Sequence, residues 1–128
     1  MINHIEIYVS NLQKSLVMWE WFLNELGYEK FQKWEQGESY KLGEFYIVFV
    51  QAEEKFLKDG YHRKRIGLNH LAFKANSKEQ IDKISKELKK QKIKILYEEK
   101  HPYAGGENHY AVYFEDYDRI KVELCYSS

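Results

Sequence analysis

With 128 residues the chain holds one domain's worth of sequence, enough to bury a single sizeable core and too little for two independent ones. Lysine plus arginine equals aspartate plus glutamate at 20 each, so no net field draws the protein toward nucleic acid or an anionic membrane. The single Cys125 excludes an internal disulfide framework and a cysteine-rich zinc site, and with no signal segment and no long apolar run the chain reads as cytoplasmic.

The first strand is expected from Ile2 to Val9, with Ile5, Ile7 and Val9 on one face and His4, Glu6 and Tyr8 on the other. A helix over Leu12 to Leu26 covers the apolar row with the stripe Leu12, Leu16, Trp19, Phe22, Leu23 and Leu26, and Gly27 ends it. Three strands follow, Tyr28 to Trp34, Tyr40 to Leu42 and Phe45 to Gln51, with turns at Glu35-Gln36-Gly37 and Gly43-Glu44. Residues 52–66 are polar and read as a linker, with a short helix at Glu53 to Lys58. Beyond it come a strand Leu68 to Lys74, a helix Ser77 to Gln91 with the stripe Ile81, Ile84 and Leu88, and strands Ile93 to Tyr97, His109 to Glu115 and Ile120 to Tyr126. The loop Glu98 to Asn108 carries Pro102 and the pair Gly105-Gly106, as a lid over a pocket or a surface turn would.

The two halves echo each other. Asn69-His70-Leu71 restates Asn3-His4-Ile5, and Ser77-Lys78-Glu79-Gln80 restates Ser10-Asn11-Leu12-Gln13, each a Ser-x-x-Gln capping box at a helix start. The offsets agree to within one residue, which makes the chain two copies of one βαβββ module: module one 1–51, linker 52–66 and module two 67–128. The fold class is therefore α+β in a single 1–128 domain.

Chemistry enters through the strand faces. His4 and His70 open equivalent strands, and Glu123 stands on the last strand between Val122 and Leu124, where a carboxylate is costly to bury unless paired or bound to a cation. Two imidazoles and one carboxylate suit a divalent transition metal, although a lone histidine at a strand start is more often structural. His109 on its strand is a candidate for proton transfer at neutral pH, as is His101, for which a surface role is the plainer reading. One of the rows His109, Ala111, Tyr113 or Tyr110, Val112, Phe114 must face the cavity, and the sequence leaves open which. Tyr61-His62-Arg63-Lys64-Arg65 reads as a solvated linker or an anion-binding run. Cys125 shares the face of Glu123, with a buried inert thiol as the default. The aromatic content, 16% with 11 Tyr, suits an amphipathic pocket or an interface.

The doubled module, the two Asn-His pairs and the ending Tyr113-Phe114-Glu115-Asp116-Tyr117-Asp118-Arg119-Ile120-Lys121-Val122-Glu123-Leu124 resemble the glyoxalase, bleomycin-resistance and extradiol-dioxygenase superfamily, the vicinal oxygen chelate proteins. The resemblance covers nearly the whole chain. It implies curved sheets around a cleft, a divalent metal ion (Zn, Ni, Mn or Fe) held by His4, His70 and Glu123, a small-molecule ligand and a homodimer. The chain also departs from the family's patterns. The second glutamate of glyoxalase I enzymes has Val48 in its place, Glu53 lies too far along to substitute, and Glu6 shares the face of His4 as a speculative base. The family's Asp-Pro-Asp-Gly turn is here Asp116-Tyr117-Asp118-Arg119.

The expected function is thus a glyoxalase-like metal-dependent lyase or isomerase acting on a small oxygen-rich molecule through an enediolate. The metal would serve as Lewis acid and Glu6 or His109 as base. Tyr103, Tyr110, Arg119 and Lys121 are candidates for substrate binding. Two alternatives stand beside it: a sequestering protein that binds without catalysis, and a thiol transferase like those of fosfomycin resistance, which use two His and one Glu.

Overall fold

The computed structural model describes residues 1–127. The chain divides into two compact units, the first Met1–Gly60 and the second beginning at Tyr61. Unit one comprises β1 (His4–Val9), α1 (Leu12–Glu25), β2 (Glu29–Trp34), β3 (Gly37–Leu42), β4 (Phe45–Gln51) and a short helix α2 (Glu54–Leu57). Unit two comprises β5 (His70–Lys74), α3 (Lys78–Lys90), β6 (Ile95–Leu96), β7 (Tyr110–Glu115) and β8 (Lys121–Tyr126), with one 3-10 turn at Glu98–Lys100. Each unit is a four-stranded sheet, ordered β1-β4-β3-β2 and β5-β8-β7-β6. In both, the first strand runs parallel to the last and the remaining pairs are antiparallel. The α+β class and the doubled βαβββ order expected from the sequence are what the structure has.

Alternation along the strands decides which face meets the helix. In unit one, Ile7, Val9, Ile47 and Phe49 bury against Met18, Trp19, Phe22 and Leu23 of α1, with the Trp19 and Phe49 rings 4.9 Å apart. Glu38 lies buried on the same face as Phe49. The Tyr40 hydroxyl donates to its carboxylate, and burial together with that charge pushes the tyrosine pKa up. In unit two, Phe73, Val112, Phe114, Val122 and Leu124 form the buried row, and α3 turns Ile81, Ile84 and Leu88 inward.

Some local expectations need correction. Ser10 does not cap α1. Asn11 does, its side chain accepting from the Lys14 amide, while Gln51 accepts the Leu12 amide at 2.8 Å and donates to the Ser10 carbonyl. A long-range glutamine thus takes up the orphan donors that the local box would have served. Ser77 does cap α3, but Gln80 reaches back to the Asn76 amide rather than to that of Ser77. Gly37 is the first residue of β3 rather than a turn residue. A Cβ there would lie 2.8 Å from the Phe49 carbonyl oxygen and strike the Trp34 indole, so only glycine fits.

Register fixes the equivalences between modules. Glu123 pairs with Ala72, two residues beyond His70, and Val48 pairs with Glu6, two residues beyond His4. Val48 is therefore the counterpart of Glu123, as the sequence indicates, and it is buried.

Candidate metal centre

The site is built around Glu123 of unit two. The residue is only 5% exposed, on the face of β8 away from α3, and the two flanking strands, a loop and β8 itself bring polar groups to it. From β5, His70 sets Nε2 3.1 Å from one carboxylate oxygen, Oε1. From the loop before β7, His109 sets Nε2 against the other, Oε2. Tyr113, directly opposite Glu123 in the ladder, donates its hydroxyl to the carboxylate. Its pKa is pushed up to about 12, by burial first and then by the Glu123 charge. The Cys125 thiol lies between Glu123 and the Phe73 carbonyl, 3.6 Å from the latter, and its pKa rises to about 11 by burial and then by the same carboxylate.

The orientation of His70 follows from its neighbour. Asn69 donates through Nδ2 to the Arg63 carbonyl at 3.4 Å, which leaves its Oδ1 facing His70 Nδ1 at 2.7 Å. An amide oxygen only accepts, so Nδ1 carries the ring proton and the lone pair of the neutral ring sits on Nε2. That lone pair then faces a carboxylate oxygen. Two acceptors at 3.1 Å are held together only by a proton or a cation shared between them. The donor set, imidazole nitrogen with an oriented outer partner plus a buried carboxylate, fits a divalent transition metal. In unit one the device recurs: Asn3 Oδ1 lies 2.6 Å from His4 Nδ1, and the imidazole stacks on Tyr46 at 4.6 Å.

The remaining candidates divide. Lys121 pairs opposite His70 in the ladder, on the face of Glu123, with its ammonium 3.3 Å from the Tyr97 hydroxyl. The row containing Tyr113 faces the carboxylate, which answers the question that alternation left open. Tyr110 lies on the opposite face of β7, its hydroxyl 2.5 Å from Asp82 of α3 and its ring edge-on to Tyr103. Those two tyrosines line an open cavity of about 590 Å³ beside the start of α3 and are not brought to Glu123. Arg119 reaches back to Glu115 at 3.5 Å. Arg63, read as part of a solvated or anion-binding run, is bonded to Glu115 at 2.6 Å and to the Arg119 carbonyl. Glu6 lies exposed on β1. His109 precedes β7 rather than belonging to it, because the loop is laced by bonds from the His109 amide to the Gly106 carbonyl and from Ala111 to Pro102.

Three features escaped the sequence reading. The Asn-His pairs were visible as a repeat, but the role of the asparagines as orienting partners was not. Tyr97, in left-handed backbone at φ 56°, packs edge-on to Tyr113 at 5.4 Å and completes an aromatic wall. Gly105 lies so close over the site that a Cβ would come 2.5 Å from the Tyr113 hydroxyl oxygen and 2.6 Å from His109 Cδ2.

Paired βαβββ modules, each opening on an oriented histidine, with a buried carboxylate on the last strand of one, define a class of small-molecule scaffolds. The chain belongs to the Glyoxalase/Bleomycin resistance protein/Dioxygenase superfamily, whose family model matches residues 1–124. It is 55% identical over 123 residues to the uncharacterized protein YqjT of Bacillus subtilis (strain 168), covering 96% of each chain. A solved structure from Bacillus halodurans, provisionally named a glyoxalase, is 53% identical, covers 98% of this chain and 95% of its own, and superposes with a TM-score of 0.97. At 20% identity the shared fold extends to the fosfomycin resistance protein FosX of Listeria monocytogenes. Its mutant complex with Mn(II) and 1S,2S-dihydroxypropylphosphonic acid superposes at a TM-score of 0.70, covering all of this chain and 90% of that one.

Proposed function

We propose that the chain is a glyoxalase-like, metal-dependent enzyme acting on a small oxygen-rich substrate by lyase or isomerase chemistry. The observation that carries this reading is the His70 lone pair facing the Glu123 carboxylate at 3.1 Å, an arrangement that asks for a positive charge between them. His70 and Glu123 are the proposed ligands, with His4 as the third by family membership. The Mn(II) complex of the related FosX supports a divalent ion on this scaffold. When bound, the ion supplies Lewis-acid polarisation of substrate oxygens.

The chain's own residues do the rest. His109 holds a proton at Nε2 against Glu123 Oε2, and can deliver it to a substrate oxygen or take one from carbon, as a general acid and base does. Glu6, on the exposed face of β1, is the weaker candidate for that role. Tyr113 donates to Glu123 and keeps the carboxylate aimed. Lys121 offers an ammonium for an anionic substrate group beside the Tyr97 and Tyr113 rings. The chain is further proposed to work as a homodimer in the cytoplasm; light scattering at the 15.5 kDa monomer mass would remove the dimer.

The test is metal content of protein purified without a polyhistidine tag, beside His70→Ala and His4→Ala variants. Near-stoichiometric Mn²⁺ after loading of the parent and its loss in both variants is the expected result, after which turnover of chelating hydroxy- and oxo-compounds is screened. A parent that holds no metal, and gains neither stability nor activity when supplied with one, removes the proposal and favours a sequestering protein.

A further inference from the structure

The two oxygens of Glu123 are addressed from different sides. Oε1 meets His70 and Oε2 meets His109, and the ligand atoms of His109, Glu123 and Cys125 all lie within 4.8 Å of one another. The second group has a different chemistry from the first, because it contains a sulfur. Imidazole, carboxylate and thiolate together favour a thiophilic borderline cation over a hard one such as Mg²⁺ or Mn²⁺.

The backbone holds this trio in place. Cys125 and Glu123 share a face of β8, two residues apart, and Cys125 pairs opposite Ala111, two residues beyond His109. The His109 ring reaches the carboxylate through Nε2 and is backed by Gly105, where a Cβ would collide with it. Cys125 is half-buried rather than sealed in the core, and its sulfur already contacts the Glu123 carboxylate, with a long contact to the Phe73 carbonyl to give up. Donor atoms around a tetrahedral ion with bonds of about 2.0–2.3 Å stand roughly 3.5 Å apart, so side-chain rotation alone can close the cluster.

We propose that His109, Glu123 and Cys125 form a second cation site in unit two, selective for Zn²⁺ or Co²⁺ over harder ions and independent of His70. As the sulfur–metal bond forms, the thiol proton passes to solvent, the His109 proton shifts by exchange with solvent from Nε2 to Nδ1 so that the ring stays neutral with its lone pair on Nε2, and no electron is transferred. Occupancy uses the His109 lone pair, so this site competes with the proton transfer assigned to His109 above. The proposal goes beyond that function and does not need it, since it uses neither His4 nor His70.

Cys125 is the chain's sole cysteine, so any thiolate-to-metal signal is assigned without ambiguity. Co²⁺ titrated into the untagged protein is expected to give a thiolate-to-cobalt charge-transfer band in the near ultraviolet. The band persists in His70→Ala and in the milder His70→Gln, and is absent in Cys125→Ser. In the unaltered chain Co²⁺ slows alkylation of Cys125 by roughly tenfold or more, and His109→Ala abolishes that protection. Cobalt bound without the band and without slower alkylation overturns the site. A band lost in both His70 variants, with their circular dichroism unchanged, overturns its independence. Loss of the metal in His70→Ala with the band kept in a second aliquot of Co²⁺ separates this site from the His70 centre.

Discussion

Gly105 is where a single absent carbon sets the geometry around Glu123. The groups that an added Cβ would strike, the Tyr113 hydroxyl and the His109 ring, are both side-chain ends, so they yield before the backbone does. Gly105→Ala is therefore expected to cost only about 1 kcal/mol in a denaturant melt, the mild end of overpacking, while displacing His109 and Tyr113 from the carboxylate. The readout is the His109 imidazole in NMR spectra; resonances that stay where they were would remove the close-approach argument. Glu115 poses a second question at this scale. Burial alone would raise its pKa, but the Arg63 guanidinium at 2.6 Å, helped by Arg119, carries it net below the ordinary 4.5. A depressed pKa means stability that is present above the unfolded value and lost as pH falls through the folded one. Arg63→Met should cost about 3 kcal/mol at pH 7, the low end for breaking a buried pair since Arg119 remains. The deficit should shrink as pH drops through 4.5 and below. A deficit independent of pH would mean that Arg63 contributes packing, not charge.

At the scale of elements, the two modules solve one problem in two ways. Each long helix ends in a residue of left-handed backbone, Gly27 at φ 94° after α1 and Lys92 at φ 61° after α3, and the same pair of back-bonds follows both. Glycine adopts that conformation freely and lysine does not. Lys92→Gly is thus expected to raise the free energy of unfolding by about 1 kcal/mol, read as a higher denaturation midpoint; an unchanged or lower midpoint would show that the Lys92 side chain offsets the strain. The comparison also marks what a sequence discloses. Strands, helices and their repeat were legible because alternation and a helical stripe are local and strong. The Asn-His echo pointed to equivalent strand starts, and Val48 as the partner position of Glu123 followed from register alone. The helix start at Asn11 was not legible, because its remaining donors are met by Gln51, 39 residues beyond Leu12. The turn at Asp116 to Arg119 keeps its place without proline or glycine: Asp116 accepts from the amides of Asp118 and Ile120, and Arg119 takes φ 68°. Tyr110 and Tyr103 are substrate-binding candidates by their hydroxyls, yet one step of alternation sends Tyr110 to α3. Such choices of face depend on which row meets the helix, and two rows of mixed aromatic character carry no signal that separates them.

For the molecule as a whole, metal binding and stability are one measurement. A ligand that binds only the folded chain stabilises it by about 2.7 kcal/mol at a free concentration of 100 Kd. For a domain of this length that corresponds to roughly 10 °C in Tm. The apo chain carries a buried Glu123 shared between two imidazoles, a tyrosine hydroxyl and a thiol, and a divalent cation would exchange that crowding for direct ligation. The melting temperature of metal-free protein should therefore rise by about that amount on adding a saturating transition metal, and fall back on chelation. With Mn²⁺, which the sulfur-containing site disfavours, His70→Ala should lose most of the gain while leaving the metal-free Tm within a few degrees, because the imidazole is one-third exposed and fills no core position. His4→Ala should behave alike if His4 is the third ligand, and a full gain retained in that variant would confine the ion to the donors of unit two. A Tm that does not move with any transition metal would leave the Glu123 cluster as a network of hydrogen bonds, and the search for activity would then turn to ligands rather than to chemistry.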